Sequence, residues 1–365
     1  MSRFGLIGTI TSDHVIVEDR PPLRSLGGIL YQAAVLCGLG EDVALFSNCG
    51  EELRGELDAA VVRWRTLDRA GVTYVPGPGN QVHLHYSDRL KEREEVLASA
   101  VPALDPASIL AALPRLDMLL MAFNSGFEFA LADWRRIVDA ACALDFARSL
   151  ARDRDSNGTR TRACPIWLDV HSFVLDRIVG AHRDYVSVPE WRDWLAGVTY
   201  LQANRQEVAS LRGHPERWPE RGEIESFAAE AFAVAVRAVF VTMGKDGVLM
   251  LTPGEGPGED DESPARAGAG ISGAKAGLAA AAHSSARMRT AVKTRQIQAP
   301  AADRIVDTTG CGDVFCARTM SLLAKGAALE MAVEAGVILA SKAVGLAGIG
   351  ETFRLAGGDP SLRSG

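Results

Sequence analysis

The sequence predicts an α/β fold built on a mostly parallel central sheet. Apolar runs of strand length alternate with amphipathic stretches of helix length along most of the chain. Most of these runs are apolar throughout, which is typical of parallel strands that helices cover on both faces. The 365 residues are 47% hydrophobic, enough for one large core with or without a small appended sheet.

The predicted elements follow one another in a regular order. Strands are expected at Phe4–Ile10, Val43–Phe46, Val82–Tyr86, Met118–Phe123, Ile166–Asp169, Val198–Gln202, Val239–Met243 and Val248–Leu251. Helices are expected at Ile29–Leu39, Glu56–Ala70, Trp134–Arg152, Ile224–Arg237 and Val314–Ala324. Because strands joined through helices pair in parallel by right-handed crossovers, we expect one large sheet.

One predicted strand differs from the others. In the run Val82–Tyr86, His83 and His85 alternate with apolar residues, which predicts a strand with one wet face. Such a strand suits a small β lid, whose segments we place near 14–26 and 71–94. Two histidines on one strand face are a weak metal signal without a third ligand, so lid surface is the favoured interpretation.

Composition sets the domain boundaries. The segment 253–289 is rich in Gly, Ala, Ser and Pro and carries no aromatic residue, so we predict a low-complexity surface insertion there. Residues 1–352 are otherwise predicted to form one domain, followed by a C-terminal tail at 353–365.

Charge and cysteine content argue against several classes of protein. The 46 acidic residues outnumber the 39 basic ones, so a nucleic-acid partner is not expected. No apolar run is long enough to span a bilayer, and the run Phe4–Ile10 is interpreted as a first strand because Asp13 follows it closely. The six cysteines are scattered without a CxxC pair, which favours reduced thiols. We therefore expect a cytoplasmic protein without a membrane partner.

The strongest functional signal is the heptad Asp-Thr-Thr-Gly-Cys-Gly-Asp at 307–313, which opens the predicted helix Val314–Ala324. Its glycines allow the backbone to approach a ligand, and the free N–H groups of a helix start favour an anion. Asp313 then stands as a base beside a phosphate site, as phosphoryl transfer requires. A plain helix cap is the alternative. The whole heptad, after a strand-like segment Arg304–Val306, favours the functional interpretation.

This heptad resembles the DTTGAGD pattern of the PfkB carbohydrate kinase family and matches it at six of seven positions. The resemblance implies a ribokinase-like three-layer sandwich that transfers the γ-phosphoryl group of ATP to a hydroxyl. It also implies that Asp313 is the catalytic base and that the amides of Gly310, Cys311 and Gly312 form an anion hole. Cys311 replaces Ala but keeps its N–H. The electrostatics of a helix start stabilise the thiolate form of a cysteine. We nevertheless interpret Cys311 as a small buried side chain that takes the place of Ala.

The N-terminal part of the chain also resembles this family, in its sugar-binding elements. An Asp follows the first strand, and a Gly pair opens the next helix. Gln stands where the family usually has Asn, and bulky residues flank it at 29–31. An Asn follows the fourth of the predicted strands, at the sheet edge where open α/β folds hold ligands. The candidate substrate-binding residues are therefore Asp13, Gly27, Gly28, Gln32 and Asn124.

The segment Asp169–Ser172 ends a strand in the same way as Asn124. Within it, His171 is interpreted as a capping or packing residue.

Asn204 and Glu207 resemble the family's NxxE motif, which orders magnesium and its waters. The two residues are three apart at a predicted helix start, so both side chains can face one site. A capping box between them is an equally good interpretation on this motif alone. The resemblance implies that Glu207 holds the metal through water.

The segment 241–248 resembles the family's TxGxxG element on the nucleotide side. A plain β-hairpin is compatible with the same residues. The candidate nucleotide-binding residues are Asn204, Thr242, Gly244, Gly247 and Thr309. The implied cofactors are ATP and Mg²⁺, with a monovalent cation such as K⁺ also compatible with the resemblance.

The predicted function is thus an ATP-dependent kinase acting on a sugar or a similar small molecule. Two alternatives stay open: a nucleoside kinase of the same fold, and a binding protein that keeps the fold without catalysis. The altered residues around Gln32 motivate the second alternative, whereas the intact Asp313 opposes it. A homodimer is compatible with the resemblance.

Overall fold

The computed structural model describes residues 2–17, 21–86, 94–152, 164–254 and 291–358. The strands are Arg3–Ile7 (β1), Ile10–Val17 (β2), Leu23–Gly28 (β3), Asp42–Gly50 (β4), Leu67–Val75 (β5), Asn80–Tyr86 (β6), Glu94–Ser99 (β7), Met118–Ala122 (β8), Ile166–Asp169 (β9), Tyr200–Asn204 (β10), Ala238–Thr242 (β11), Val248–Pro253 (β12) and Val292–Ile297 (β13). The helices are Leu30–Gly38 (α1), Arg54–Val61 (α2), Ala107–Ala112 (α3), Leu131–Arg152 (α4), Trp191–Leu195 (α5), Arg205–Leu211 (α6), Arg221–Phe232 (α7), Cys311–Ala324 (α8), Leu329–Ala343 (α9) and Gly348–Gly358 (α10).

A nine-stranded sheet forms the centre, in the order β13-β12-β11-β10-β9-β8-β1-β4-β5. The seven strands from β11 to β5 pair in parallel, and β12 and β13 add an antiparallel hairpin at one edge. One buried cluster packs α1, α2, α8, α9 and α10 on one face of the sheet, and a second packs α3 to α7 on the other. The predicted α/β fold with three layers and a mostly parallel sheet is therefore confirmed.

A separate four-stranded sheet, in the order β3-β2-β6-β7, forms a small lid. Its inner face carries a small apolar cluster of Val15, Val82, Leu84 and Leu97. The predicted strand 82–86 lies in it with alternating burial, as expected. The second lid segment was predicted at 71–94, but its first residues, 71–75, belong to β5 of the central sheet.

Three predicted boundaries are wrong. The helix predicted at 56–70 ends at Val61, because the chain from Leu67 pairs along β4 as an edge strand. Arg304–Val306 is not a strand: no strand borders it, and the Val306 N–H donates to Val344 O at the end of α9 (2.7 Å). The tail predicted from 353 begins inside α10, whose Phe353 stacks on Trp64 with ring centroids 5.6 Å apart. Local apolar spacing fits each prediction, but tertiary pairing decided these segments.

Among the described residues, no helix combines the length and the apolar character that a membrane span needs.

The predicted insertion falls between β12 and β13, and its residues 255–290 lie outside the described part of the chain. The two strands stay paired up to Pro253 and Val292, and the Gly254 N–H donates to Ala291 O (2.7 Å). The chain therefore leaves and re-enters the fold at adjacent points.

We expect the segment 255–290 to be dispensable for stability. Its replacement by a short Gly-Ser turn closes a hairpin whose ends already lie side by side, and loop length changes stability only slowly. The melting temperature of the shortened protein should differ from that of the parent by less than about 3 °C. A collapse of stability or solubility would show that the segment is part of the structure.

Candidate active site

The parallel strands bring their carboxyl ends to one edge of the sheet, and the predicted site residues gather there. Asp169 ends β9, Asn204 ends β10 and Thr242 ends β11, while Asn124 follows β8 by two residues. The start of α8 faces the same edge with Asp313 in its first turn. This arrangement follows from the topology, because parallel neighbours in one sheet must end on the same side.

The described residues line three neighbouring cavities along this edge. The inner cavity, of about 50 Å³, lies under the lid and is lined among others by Asp13, Asn124 and Asp313. The outer cavity, of about 880 Å³, is lined by Asn204, Glu207 and residues of the segment 182–185. The apolar cavity, of about 620 Å³, extends over Phe315, Val337 and Val344 from α8, α9 and the end of α9.

The turn before α8 is built around Gly310. This residue has φ +79°, a left-handed conformation that favours glycine, and a Cβ added to it would lie 2.5 Å from Cδ1 of Tyr31. The Thr309 N–H donates to Asp307 Oδ1 (2.8 Å), which fixes the start of the turn. The Cys311 N–H donates to Thr308 O (3.3 Å) within this turn, so an anion held by the helix start beside Asp313 would take over that hydrogen bond.

Gln32 holds Asp313 in place. Its side chain is fully buried, and its Nε2 donates a hydrogen bond to Asp313 Oδ1. Gln32 does not line any of the three cavities. We therefore reassign it from the predicted substrate contact to the support of the predicted base.

Asp13 and the Gly pair divide their roles differently from the prediction. Asp13 lies on β2 and is buried at the inner cavity. Gly27 pairs with Thr11 and lies diagonally from Asp13, so an added Cβ would lie 1.8 Å from Asp13 Oδ2. Gly28, with φ +61°, lines the cavity itself. Gly27 therefore makes room for the carboxylate, and Gly28 brings the backbone to the cavity.

The inner cavity has polar atoms that need partners. Thr11 Oγ1 and Asn124 Oδ1 are buried and have no hydrogen-bond partner in the described part of the chain. Both residues line the cavity beside Asp13. Buried polar atoms are normally satisfied, so a ligand with several hydroxyl groups would complete these sites.

At the outer cavity, Asn204 and Glu207 form the capping box that the sequence left open. The Glu207 N–H donates to Asn204 Oδ1 (2.8 Å), and the Asn204 N–H donates to Glu207 Oε2 (2.7 Å). The Asn204 side-chain amide also donates to Glu207 Oε1 (2.8 Å). The pair is thus rigidly held at the start of α6, with both residues lining the cavity.

The predicted hairpin segment lies between the outer and apolar cavities. Thr242 and Gly244 line both cavities, whereas Gly247 lines the apolar one. Thr308 also lines both, but Thr309 lines the inner cavity instead. We therefore reassign Thr309 to the inner side and Thr308 to the outer side, because successive residues of a tight turn face opposite directions.

Carboxylates concentrate where the inner and outer cavities approach each other. Burial raises the pKa of Asp169 well above its usual value, and the nearby Asp313 and Glu207 carboxylates raise it further. Gln202 Nε2 donates to Asp169 Oδ2 (3.0 Å) and to Gly312 O (3.2 Å), so this carboxyl is tied to the turn of α8. Burial, followed by Asp13 and Asp307, likewise raises the pKa of Tyr31.

This negative charge suits the predicted magnesium ion. The Asn204–Glu207 pair keeps its carboxylate oxygens in hydrogen bonds, so the residues fit a hydrated ion held through water better than a directly ligated one. Among the described residues, no group of three His, Cys, Asp or Glu side chains is placed to hold a metal ion.

The thiol of Cys311 is not ionised more easily than usual, although its place at a helix start alone would predict this. Burial, with Asp307 and Asp313 nearby, raises the pKa of its thiol to about 12, so the thiol stays protonated. Its side chain lies at the apolar cavity.

Cys311→Ala is expected to keep activity within a few-fold of the parent. The predicted anion site depends on the backbone of residue 311, which Ala keeps, and a protonated thiol offers little beyond its volume. Turnover under reducing conditions checks this expectation, with the exposed Cys142→Ala as a matched control. A loss of several orders of magnitude in Cys311→Ala would assign the sulfur a direct role.

No protein-family profile matches the chain, and no curated protein matches it by sequence. Solved structures do match. The ribokinase of Arabidopsis thaliana, complexed with ribose and ATP, shares 16% identity at TM-score 0.65, with 98% of this chain and 99% of that chain covered. The chain has the ribokinase fold.

Two further ribokinase-fold structures match over nearly their whole length. The nucleoside kinase of Methanocaldococcus jannaschii shares 13% identity at TM-score 0.58, with 98% of this chain and 99% of that chain covered. A pyrophosphate-dependent kinase, complexed with a pyrophosphate analogue and myo-inositol, shares 13% identity at TM-score 0.60, with 96% and 99% covered. At these identities the likeness establishes the ribokinase fold, which confirms the predicted architecture.

Several residues at this edge of the sheet were not among the candidates from the sequence. Thr11, Tyr31 and Glu95 line the inner cavity, and the buried Asp169 interacts electrostatically with Asp313. Asp169 could have been predicted, since it ends a strand at the carboxyl edge of the sheet. Glu95 could not, because it stands in a charged run of the lid.

Proposed function

We propose that the protein is an ATP-dependent kinase that phosphorylates a hydroxyl group of a sugar or sugar-like small molecule. One observation carries the proposal: Asp313 lines a small polar cavity while its own helix start opens onto a larger cavity. A base at the wall between two such cavities is what transfer from a donor to an enclosed acceptor needs.

The chemistry of the inner cavity supports a compact acceptor with several hydroxyl groups. Asp13 offers a charged hydrogen-bond acceptor, and Thr11 and Asn124 offer atoms without protein partners. Sugars and polyols carry such hydroxyl groups throughout, and a nucleoside, which carries them on its ribose, is the alternative acceptor.

The apolar cavity supports a nucleotide as donor. It adjoins the outer cavity through Thr242, Gly244 and Thr308 and is lined beyond them by apolar side chains such as Phe315 and Val337. A nucleobase fills such a space, whereas pyrophosphate, the donor of one ribokinase-fold neighbour, has no group that needs it.

In this reaction, each residue of the site has a separate role. Asp313 accepts the proton of the attacking hydroxyl, and Gln32 keeps its carboxylate in position. The amides at Gly310–Gly312 stabilise the charge on the moving phosphoryl group. Asn204 and Glu207 would hold hydrated Mg²⁺, which neutralises phosphate charge. Closure of the lid over the inner cavity excludes water from the reaction.

A donor and acceptor panel tests the proposal. Sugars, polyols and nucleosides are screened by thermal shift with a Mg-ATP analogue, and the stabilising compounds are then assayed for ADP release with ATP and for phosphate transfer from pyrophosphate. We expect a sugar-like compound to elicit ADP release, and ATP to exceed pyrophosphate as donor. Stabilisation by a ligand without turnover would identify a binding protein instead.

A further inference from the structure

His171 lies between the inner and outer cavities. Of the residues that line the inner cavity, only Glu95 and His171 also line the outer one among the described residues. Glu95 reaches this place from the lid, whereas His171 reaches it from the loop after β9. His171 and Glu95 therefore lie at the boundary between the two cavities.

The backbone of His171 is held in an unusual conformation. Its φ is +33°, one of two positive values found at non-glycine residues in the described part of the chain. The surrounding hydrogen bonds impose it: the Ser172 N–H donates to Phe123 O (2.8 Å), the Val170 N–H donates to Gln202 O (3.1 Å), and the His171 N–H donates to the Asp169 carboxyl. Such strain persists where the structure overdetermines it, and it is common at functional sites.

The electrostatics of the junction call for a hydrogen-bond donor. Asp169, Asp313 and Glu207 bring negative charge to this region. The buried Arg183 is engaged by Glu95 Oε1 (3.4 Å) and by the backbone carbonyl of Asp176 (2.8 Å). Arg205 and Lys245 line the outer cavity but not the inner one. At the boundary between the two cavities, the imidazole of His171 can therefore supply an N–H to an anionic phosphoryl group.

We propose that His171 is a catalytic residue that donates a hydrogen bond to the phosphoryl group in transit. This inference rests on the proposed function. In the step, the bond between the γ-phosphorus and the bridging oxygen breaks, and the leaving ADP keeps the electron pair. The acceptor oxygen forms the new bond to phosphorus, and its proton passes to Asp313. The imidazole keeps its own proton and stabilises the oxygens of the phosphoryl group.

Two substitutions separate this role from a packing role. His171→Gly removes the donor but relieves the positive φ, so its melting temperature should stay at or slightly above that of the parent. His171→Gln keeps an N–H donor of similar reach. The exposed His214, whose side chain is 52% accessible and lines none of the three cavities, provides the control His214→Gln.

We expect kcat of His171→Gly to fall at least about tenfold, because loss of one preorganised donor can cost 10²-fold or more. KM for ATP should change little, His171→Gln should recover part of kcat, and His214→Gln should match the parent. A second readout is binding: ADP with aluminium fluoride, a mimic of the moving phosphoryl group, should stabilise the parent more than ADP alone, and His171→Gly should lose that increment.

Three results of these experiments would each contradict a different part of the proposal. If the parent turns over and His171→Gly stays within twofold of it, or keeps the aluminium-fluoride increment, His171 is not catalytic. If His171→Gly loses activity together with several degrees of stability, and Gln does not rescue it, the residue is structural and the inference is overturned. If the parent transfers phosphate to no acceptor and gains no stability from ADP with aluminium fluoride, the proposed function itself fails, which is a different result.

Discussion

Asp313→Asn is expected to fold like the parent, to bind ATP, and to lose phosphoryl transfer by at least about 10²-fold, since general-base assistance contributes 10²–10⁴-fold. The amide keeps the shape of the carboxylate, and its oxygen can still accept the hydrogen bond from Gln32. It cannot take the proton of an alcohol. The helix start and its amides remain, because the turn depends on Gly310.

Turnover with the identified acceptor, nucleotide affinity and melting temperature check this result together. Asp139→Asn, at an exposed position on α4 that pairs with Arg135, is a matched control expected to leave all three unchanged. The helix-cap interpretation makes the opposite prediction, because Asn caps a helix as well as Asp does. Parental turnover in Asp313→Asn would therefore remove the basis of the proposed function.

Asp13→Ala is expected to lower kcat/KM for the acceptor by about 10–10²-fold, which corresponds to one lost charged hydrogen bond of 1.5–3 kcal/mol. The carboxylate lines the inner cavity, away from the outer and apolar cavities. The affinity for an ATP analogue should therefore change much less than the affinity for the acceptor. Equal weakening of both would contradict the assignment of Asp13 to the acceptor side.

Gly27→Ala provides a second route to the same effect. A methyl group at residue 27 would lie 1.8 Å from Asp13 Oδ2, so the carboxylate must move away from its place at the inner cavity. We expect the acceptor defect of Asp13→Ala without loss of the carboxylate itself. Acceptor kinetics close to the parent would mean that the position of Asp13 does not matter for binding.

The sequence alone determined the architecture, and it predicted residues that the fold brings together at one edge of the sheet. Apolar runs that alternate with helices predict a parallel sheet, because a strand covered on both faces is apolar throughout. The heptad 307–313 marked the start of α8, since only glycines allow the tight turn before Asp313. Asp13, Asn124, Asn204 and Thr242 were also found from sequence. Each lies on a strand or within two residues of a strand's end at the carboxyl edge of the sheet or under the lid.

Only the tertiary structure decided what several of these residues do. Gln32 contacts Asp313 across 281 positions of the chain, and no local pattern reports such a contact. Thr308 and Thr309 face different cavities because of the turn geometry, and Glu95 reaches the site only because the lid folds over it. Local periodicity records which side of an element is buried. The partner that buries it comes from a distant segment, so the positions of Gln32, Glu95 and His171 at this edge of the sheet follow from packing.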